Sequence, residues 1–306
     1  DVTAASVIDA PYWELVQNYG QLEVDRYLEA NPELSLIMAF AKKPKNALLG
    51  QVYVSDSDIT GPEYAGELDF AYAATIADRI DYLVEEVTLN LRDVDAAKIK
   101  TYEWGVIDNE IVFLTNLSKL DTDLWKATLK RGCLDTQPAI HDKDAVLFLP
   151  DENNYIHEKE YTTGEVVGVQ IGASNLTSAT SELSRYENWH TVDARAVLPY
   201  PPQNVKIDGR YYPEILQEYD TTVPLTWAHR NRVQQTGKYL LDFTSDTLAD
   251  PEDGTTYIVS LRDMATDAVL FTEDVGDATT YSIDVDALTL ASGRYSLVIE
   301  SVRDGH

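Results

Sequence analysis

The stretch Leu198-Pro199-Tyr200-Pro201-Pro202-Gln203-Asn204-Val205-Lys206-Ile207, followed by Thr222-Val223-Pro224-Leu225-Thr226-Trp227-Ala228-His229, decides how the chain is read. A run of prolines favours extended polyproline geometry and stiffens a link between two bodies, so a boundary is expected at Leu198–Pro202. Beyond it Val223, Leu225 and Trp227 alternate with polar neighbours, the period of a half-buried strand. A tryptophan on a second strand is the usual centre of a sandwich core. Val205–Ile207 supplies a first strand. Tyr257/Val259/Leu261, Val269/Phe271, Tyr281/Ile283/Val285 and Arg294–Val302, with Tyr295, Leu297, Ile299 and Ser301 on one side, supply the others. Asp253-Gly254 and Ser292-Gly293 supply turns. Six strands are expected, one short of the usual plan of about seven.

These residues resemble a fibronectin type III domain. The resemblance lies in Pro201-Pro202-x-Asn204-Val205, in Trp227 on the second strand, and in Tyr295 following Leu290 and Gly293. It implies that Trp227 anchors the core and that Tyr295 is a corner tyrosine whose hydroxyl bonds to upstream backbone. The sequence departs from the family in the long stretch Asn231–Asp253 and in the absent last strand.

Upstream, two segments carry helical period. Tyr12, Leu15, Val16 and Tyr19 recur at three-to-four spacing after Pro11, and Glu23–Ala30 ends at Asn31-Pro32, where the residue before proline avoids the α region. Ala74, Ile76, Ile80, Leu83 and Val84 predict a third helix within Ala71–Glu85. The rest reads as short, often β-branched strands: Leu48–Val54, Val87–Leu91, Glu110–Leu114, Leu124–Leu129, Ala145–Leu149 and Glu165–Ile171. Their turns are Asp108-Asn109, Asp151–Asn154 and Thr163-Gly164. Short strands joined by such turns suit a barrel or sandwich better than a parallel sheet. The expected fold is mainly β, α+β in its N-terminal part. A helical or linker segment over residues 1–47 precedes a β-rich, barrel-like region over 48–198 and a truncated sandwich over 199–306.

Charge narrows the function. With 24 basic and 52 acidic residues the net charge is −28, which repels phosphate backbones and argues against nucleic-acid binding. Solubility and tolerance of salt account for such a surface. No run of about eighteen apolar residues occurs, so no membrane span is expected. The chain opens Asp1-Val2-Thr3 with no visible leader, and is expected to be part of something longer. Without a leader the sequons Asn116-Leu117-Ser118 and Asn175-Leu176-Thr177 are expected to stay idle. Cys133 is the one cysteine, which excludes an internal disulfide framework and fits a cytoplasmic origin.

Sites of reaction are hard to find. Gly-x-Ser-x-Gly, Walker, Gly-x-Gly-x-x-Gly and His-Glu-x-x-His patterns are all missing. With so many carboxylates a pair at glycosidase distance arises by chance, so a hydrolase has little support. His141-Asp142-x-Asp144 offers metal ligands, but a solvated turn is the plainer reading. Asp56-x-Asp58 with Gly61 has a calcium-loop beginning without the downstream bidentate Glu. Cys133 as a nucleophile has His141 as its one nearby base in sequence; a small buried residue at a strand end is the plainer reading. Arg230 and Arg232, in Trp227-Ala228-His229-Arg230-Asn231-Arg232, are either an interface pair or partners of carboxylates such as Glu252. No catalytic, cofactor or metal residue is assigned.

Two ordered segments carry a second resemblance. Leu129-Lys130-Arg131-Gly132-x-Leu134-Asp135-Thr136-x-Pro138-Ala139-x-His141 is similar to a motif of the hub or tip proteins of long-tailed bacteriophages and gene transfer agents. Leu198–Gly209 with Leu225–Gln235 is similar to the next domain of that family, and Pro11-Tyr12-Trp13-Glu14-Leu15 matches loosely. The resemblance implies structural roles for Arg131, Gly132, Asp135 and Thr136. It also implies a trimeric plug at the distal end of a tail tube, made in the bacterial cytoplasm and carried in the virion. Expected partners are distal-tail, tape-measure and tip proteins. The rival readings are a carbohydrate-binding or adhesive module, motivated by 19 tyrosines and a sandwich, and a glycoside hydrolase-type enzyme.

Overall fold

A computed structural model describes residues 1–56, 61–150, 155–212, 222–246, 249–290 and 293–305. The turn at Asp151–Asn154, together with Asp58, Ser292 and His306, lies outside the described residues. The chain divides into two compact units. The first is Asp1–Cys133 with Pro138–Val197, the second Leu134–Gln137 with Leu198–His306.

In the first unit β1 (Ala5–Asp9) precedes helices α1 (Tyr12–Tyr19) and α2 (Gln21–Ala30), then β2 (Leu34–Ser35), β3 (Ile37–Ala41), β4 (Leu49–Ser55) and β5 (Glu63–Leu68). Next come β6 (Tyr72–Ile76), β7 (Glu86–Asn90), the one-turn helix α3 (Asp93–Ala96), β8 (Glu103–Ile107), β9 (Glu110–Asp121), β10 (Leu124–Lys130) and β11 (Val146–Leu149). The unit ends with β12 (Tyr155–Ile156), β13 (Tyr161–Thr162), β14 (Val166–Ser174) and β15 (Tyr186–Thr191).

Six of these strands close into a barrel in the order β10-β7-β6-β11-β8-β9. Alternate residues point inward, so Ala74, Ile76, Val87, Leu89, Ile107, Val112, Leu114, Ala127, Leu129, Leu147 and Leu149 fill it as one buried cluster. A barrel-like region was expected from the sequence, and one is present. The helix expected over Ala71–Glu85 is not: Tyr72–Ile76 is strand β6, paired with β7 and β11. Ala74 and Ile76 sit two apart and both enter the barrel, and that period of two overrides the weaker three-to-four spacing.

A four-stranded sheet, β15-β14-β4-β5, lies beside a three-stranded one, β1-β3-β12. Val52, Val54, Val167, Val169 and Ile171 from the first meet Val7, Ile37, Ala39 and Ala41 from the second in one core. Every residue of β3 is buried. Its other face carries Phe40, whose ring meets Trp104 of the barrel edge-on at 5.9 Å; Trp13 of α1 meets Trp104 at 6.1 Å. Covered on both faces, β3 reads as an unbroken apolar run. Helices α1 and α2 therefore form where periodicity placed them, but residues 1–47 also contain the buried strands β1 and β3.

The second unit contains β16 (Gln203–Ile207), β17 (Thr222–Ala228), β18 (Thr256–Asp263), β19 (Val269–Asp274), β20 (Thr280–Asp284) and β21 (Tyr295–Val302). They form two antiparallel sheets, β16-β17-β20 and β19-β18-β21. Val223, Leu225, Trp227 and Ile283 of one face Tyr257, Val259 and Ile299 of the other in a shared core. Between β17 and β18 no strand forms among the described residues.

Candidate functional site

The segment Arg131–His141 is built around a buried lock. Glu110 opens β9 after the Asp108-Asn109 turn, where Asp108 takes a φ of 52°. Arg131 follows β10 and grips that carboxylate in a bidentate fork, Nε to Oε1 and Nη2 to Oε2, each 2.8 Å. Its remaining N–H groups donate to the carbonyls of Asp81 (3.1 Å), Val84 (2.9 Å) and Ala139 (2.7 Å). Glu110 also accepts the backbone N–H groups of Gly132 and Ala139, both at 2.8 Å. His141 Nδ1 lies 2.7 Å from Asp108 Oδ2 and Nε2 lies 2.8 Å from Glu110 Oε2. With both nitrogens facing carboxylates, both must carry a proton to donate, which is the imidazolium form. Two cations and two anions then balance.

Electrostatics follow. Burial alone would raise the Glu110 carboxyl, but the hydrogen bonds from His141 and Arg131 outweigh it and hold the group below its usual range. Burial alone would lower His141, and its bonds to Asp108 and Glu110 outweigh that, so the ring is held above 6.5. The chain turns at Gly132 with a φ of +59°, and a Cβ there would lie 2.4 Å from Pro138 Cδ, which leaves room for glycine alone.

The lock uses the ring that the sequence offers as a metal ligand or as a base for Cys133. Neither His141 nitrogen has a lone pair left, and Cys133 is buried, its Sγ 3.7 Å from the Lys130 carbonyl. Arg131 and Gly132 meet in the lock. Asp135 and Thr136 are half-buried in the short segment Leu134–Gln137 of the second unit. In the calcium-loop reading, Asp56 has its buried carboxylate occupied by Lys159 Nζ at 2.7 Å.

A second buried carboxylate ties the N-terminus in. Asp9 accepts the backbone N–H groups of Asp193 (3.0 Å) and Arg195 (3.3 Å) and lies 2.5 Å from His190 Nε2. Burial raises this carboxyl, yet the bonds from His190 and from the side chain and backbone of Asp193 dominate and bring it down to about 2.

In the second unit Trp227 is buried with its ring edge-on to Tyr257 at 5.7 Å. Tyr295 begins β21 with its hydroxyl beside Gly293. Arg230 and Arg232 are buried, which removes them from the surface an interface pair requires. Arg232 Nε contacts both Glu252 oxygens (3.1 and 3.0 Å) and Nη2 reaches Oε1 at 3.0 Å. Arg303 joins the same carboxylate. Arg230 lies 5.4 Å from the Tyr200 ring centroid and donates to the Leu241 carbonyl at 3.4 Å. Their work is internal: they hold the stretch after β17 against the sandwich.

Two surfaces of the first unit face outward. One is a groove of about 270 Å³ at the junction of β3, β6 and the α3 turn, lined by Lys42, Lys43, Arg92 and Lys98. The other is the side of sheet β15-β14-β4-β5 opposite its core. Register puts Trp189 beside Gly168, and Glu187, Gln170, Tyr53 and Tyr64 in the neighbouring row. Trp189 is 59% exposed and Tyr64 55%. A Cβ on Gly168 would come within 2.9 Å of the indole, so the ring packs over the glycine.

No protein-family model matches the chain, and no curated protein sequence does. Among the described residues, no helix is long and apolar enough to cross a membrane.

Proposed function

We propose that this chain is a structural component of a phage or prophage tail tip or baseplate hub, acting through protein–protein assembly. The observation that carries the reading is the use made of residues 129–141. The segment similar to the hub motif spends Arg131, Gly132 and His141 on a buried lock at the barrel, where they hold the chain and touch no solvent. A six-stranded barrel followed by a sandwich suits a scaffold that stacks and carries domains outward. In that setting the partners are distal-tail, tape-measure and tip proteins, the assembly is a homotrimer, and the location is the virion. Electron microscopy of tails decorated with an antibody to this chain is expected to label the tip. Label along the tube or on the head would count against the reading.

A glycan-binding module is the second reading, and the outward face around Trp189 favours it. The exposed rings of Trp189 and Tyr64, with the polar Gln170 and Glu187 beside them, offer aromatic surface of the kind on which sugar rings stack; Tyr64 meets Tyr53 edge-on at 5.6 Å, and the face of Tyr53 is covered by the Arg185 guanidinium. If it acts so, glycans that bind in an array lose their signal on Trp189→Ala. An array with no binding at all would dispose of this reading.

A further inference from the structure

We infer that the groove beside α3 docks an acidic, apolar-bearing segment of a partner polypeptide. This deepens the assembly reading by naming a surface and the chemistry it receives.

The charge of the lining is inverted relative to the chain. Among the described residues four basic side chains line this groove, but only two acidic ones, Asp69 and Asp95. Arg92 is engaged with Asp95 at 2.7 Å. Lys42, Lys43 and Lys98 form no ion pair among the described residues, although acidic side chains outnumber basic ones about two to one in the sequence. Like-charged ammonium groups gathered at one groove repel one another, and an anionic occupant relieves that repulsion. Elsewhere the chain's own acidic surface turns acidic partners away, so the groove is where such a partner finds attraction.

The rest of the lining sets the kind of anion. Phe70, Tyr72 and Leu48 contribute apolar surface, and Leu48 is 56% exposed. A bare phosphate uses none of it. A polypeptide segment that alternates carboxylates with an aliphatic or aromatic side chain meets both parts: cations at the rim, apolar surface within. Backbone around the groove is held by the bridge between Lys42 and Ala71 and by the Ala71 N–H bond to the Ala41 carbonyl at 3.1 Å, so the site is preformed.

The test uses the whole chain and a fluorescein-labelled peptide of about twelve residues that alternates glutamate and leucine, with its glutamine isostere as control. The glutamate peptide is expected to bind. Raising NaCl from about 50 mM to about 500 mM is expected to weaken binding at least about tenfold, because screening shortens the reach of each charge. Lys42→Gln/Lys43→Gln/Lys98→Gln is expected to lose at least about tenfold as well, and Lys126→Gln, on the outside of β10, to change little. Equal binding of the glutamine isostere, or an unchanged triple variant, overturns the proposal. Displacement by inorganic phosphate at matched ionic strength makes this a small-anion site and overturns it too. If the chain alone self-associates and the triple variant does not, a second copy is the occupant and the partner assignment falls. Absent peptide binding with tip labelling intact sinks the groove alone; peptide binding without tip labelling sinks the hub reading alone.

Discussion

Replacing Arg131 with alanine is expected to lower the stability of the first unit by about 3–5 kcal/mol, the usual cost of stranding one member of a buried ion pair. The guanidinium is 2% exposed and holds Glu110 and three carbonyls, so its loss leaves a buried carboxylate and carbonyls short of donors. Lysine will not rescue it, because one ammonium cannot reproduce the fork. Urea unfolding, with hydrogen exchange to assign the loss to the first unit, measures the effect. An unchanged midpoint would mean the lock is ornamental.

The same lock gives the stability a pH optimum. Glu110 is held below its unfolded value of 4.5, so its contribution is present above 4.5 and is lost as the pH falls through the lower folded value. His141 is held above 6.5, so its contribution is complete below 6.5 and is lost as the pH rises through the folded value. Stability of the first unit is therefore expected to peak between those two limits. His141→Gln should flatten the alkaline limb and shrink the acid limb, part of which remains because Arg131 still holds Glu110 down. An alkaline limb identical in both proteins would remove His141 from the account.

Trp227→Ala is the counterpart for the second unit, with an expected cost of about 3–5 kcal/mol. Trp227 sits where both sheets meet, against Tyr257, and six strands give it few neighbours able to close over a cavity. Limited proteolysis should cut the second unit of this variant first while the barrel stays protected. Trp227→Phe keeps most of the apolar volume and should recover much of the loss. A variant as resistant to protease as the parent would show that the core is centred elsewhere.

The sandwich was legible in the sequence because its strands alternate cleanly, as Val223, Leu225 and Trp227 do. Much of the barrel was legible for the same reason. Two kinds of element were not. The run Ile37–Ala41, covered on both faces, shows no alternation to find, and Tyr186–Thr191 is too polar to announce a strand although it pairs along β14. The lock was half legible. Arg131, Gly132 and His141 lie close together in sequence, but Glu110 and Asp108 arrive through the β8–β9 hairpin, and one glutamate among so many acids carries no mark. Its one clue was position: a carboxylate opening the apolar strand Ile111–Leu114 needs a partner if that strand is buried. The groove's lysines come from residues 42–43 and 98, and no local pattern joins them.

Closure of the six strands has a further consequence. A sheet that returns to its own first strand keeps its lateral amides engaged, and it offers a newcomer no main-chain template along its sides. Growth by strand addition is thereby confined to the open sheets, at margins such as β5, β15 and β21. Neighbours can still grip the barrel, but only by side chains, so its contacts are free to change in sequence without unzipping the ring.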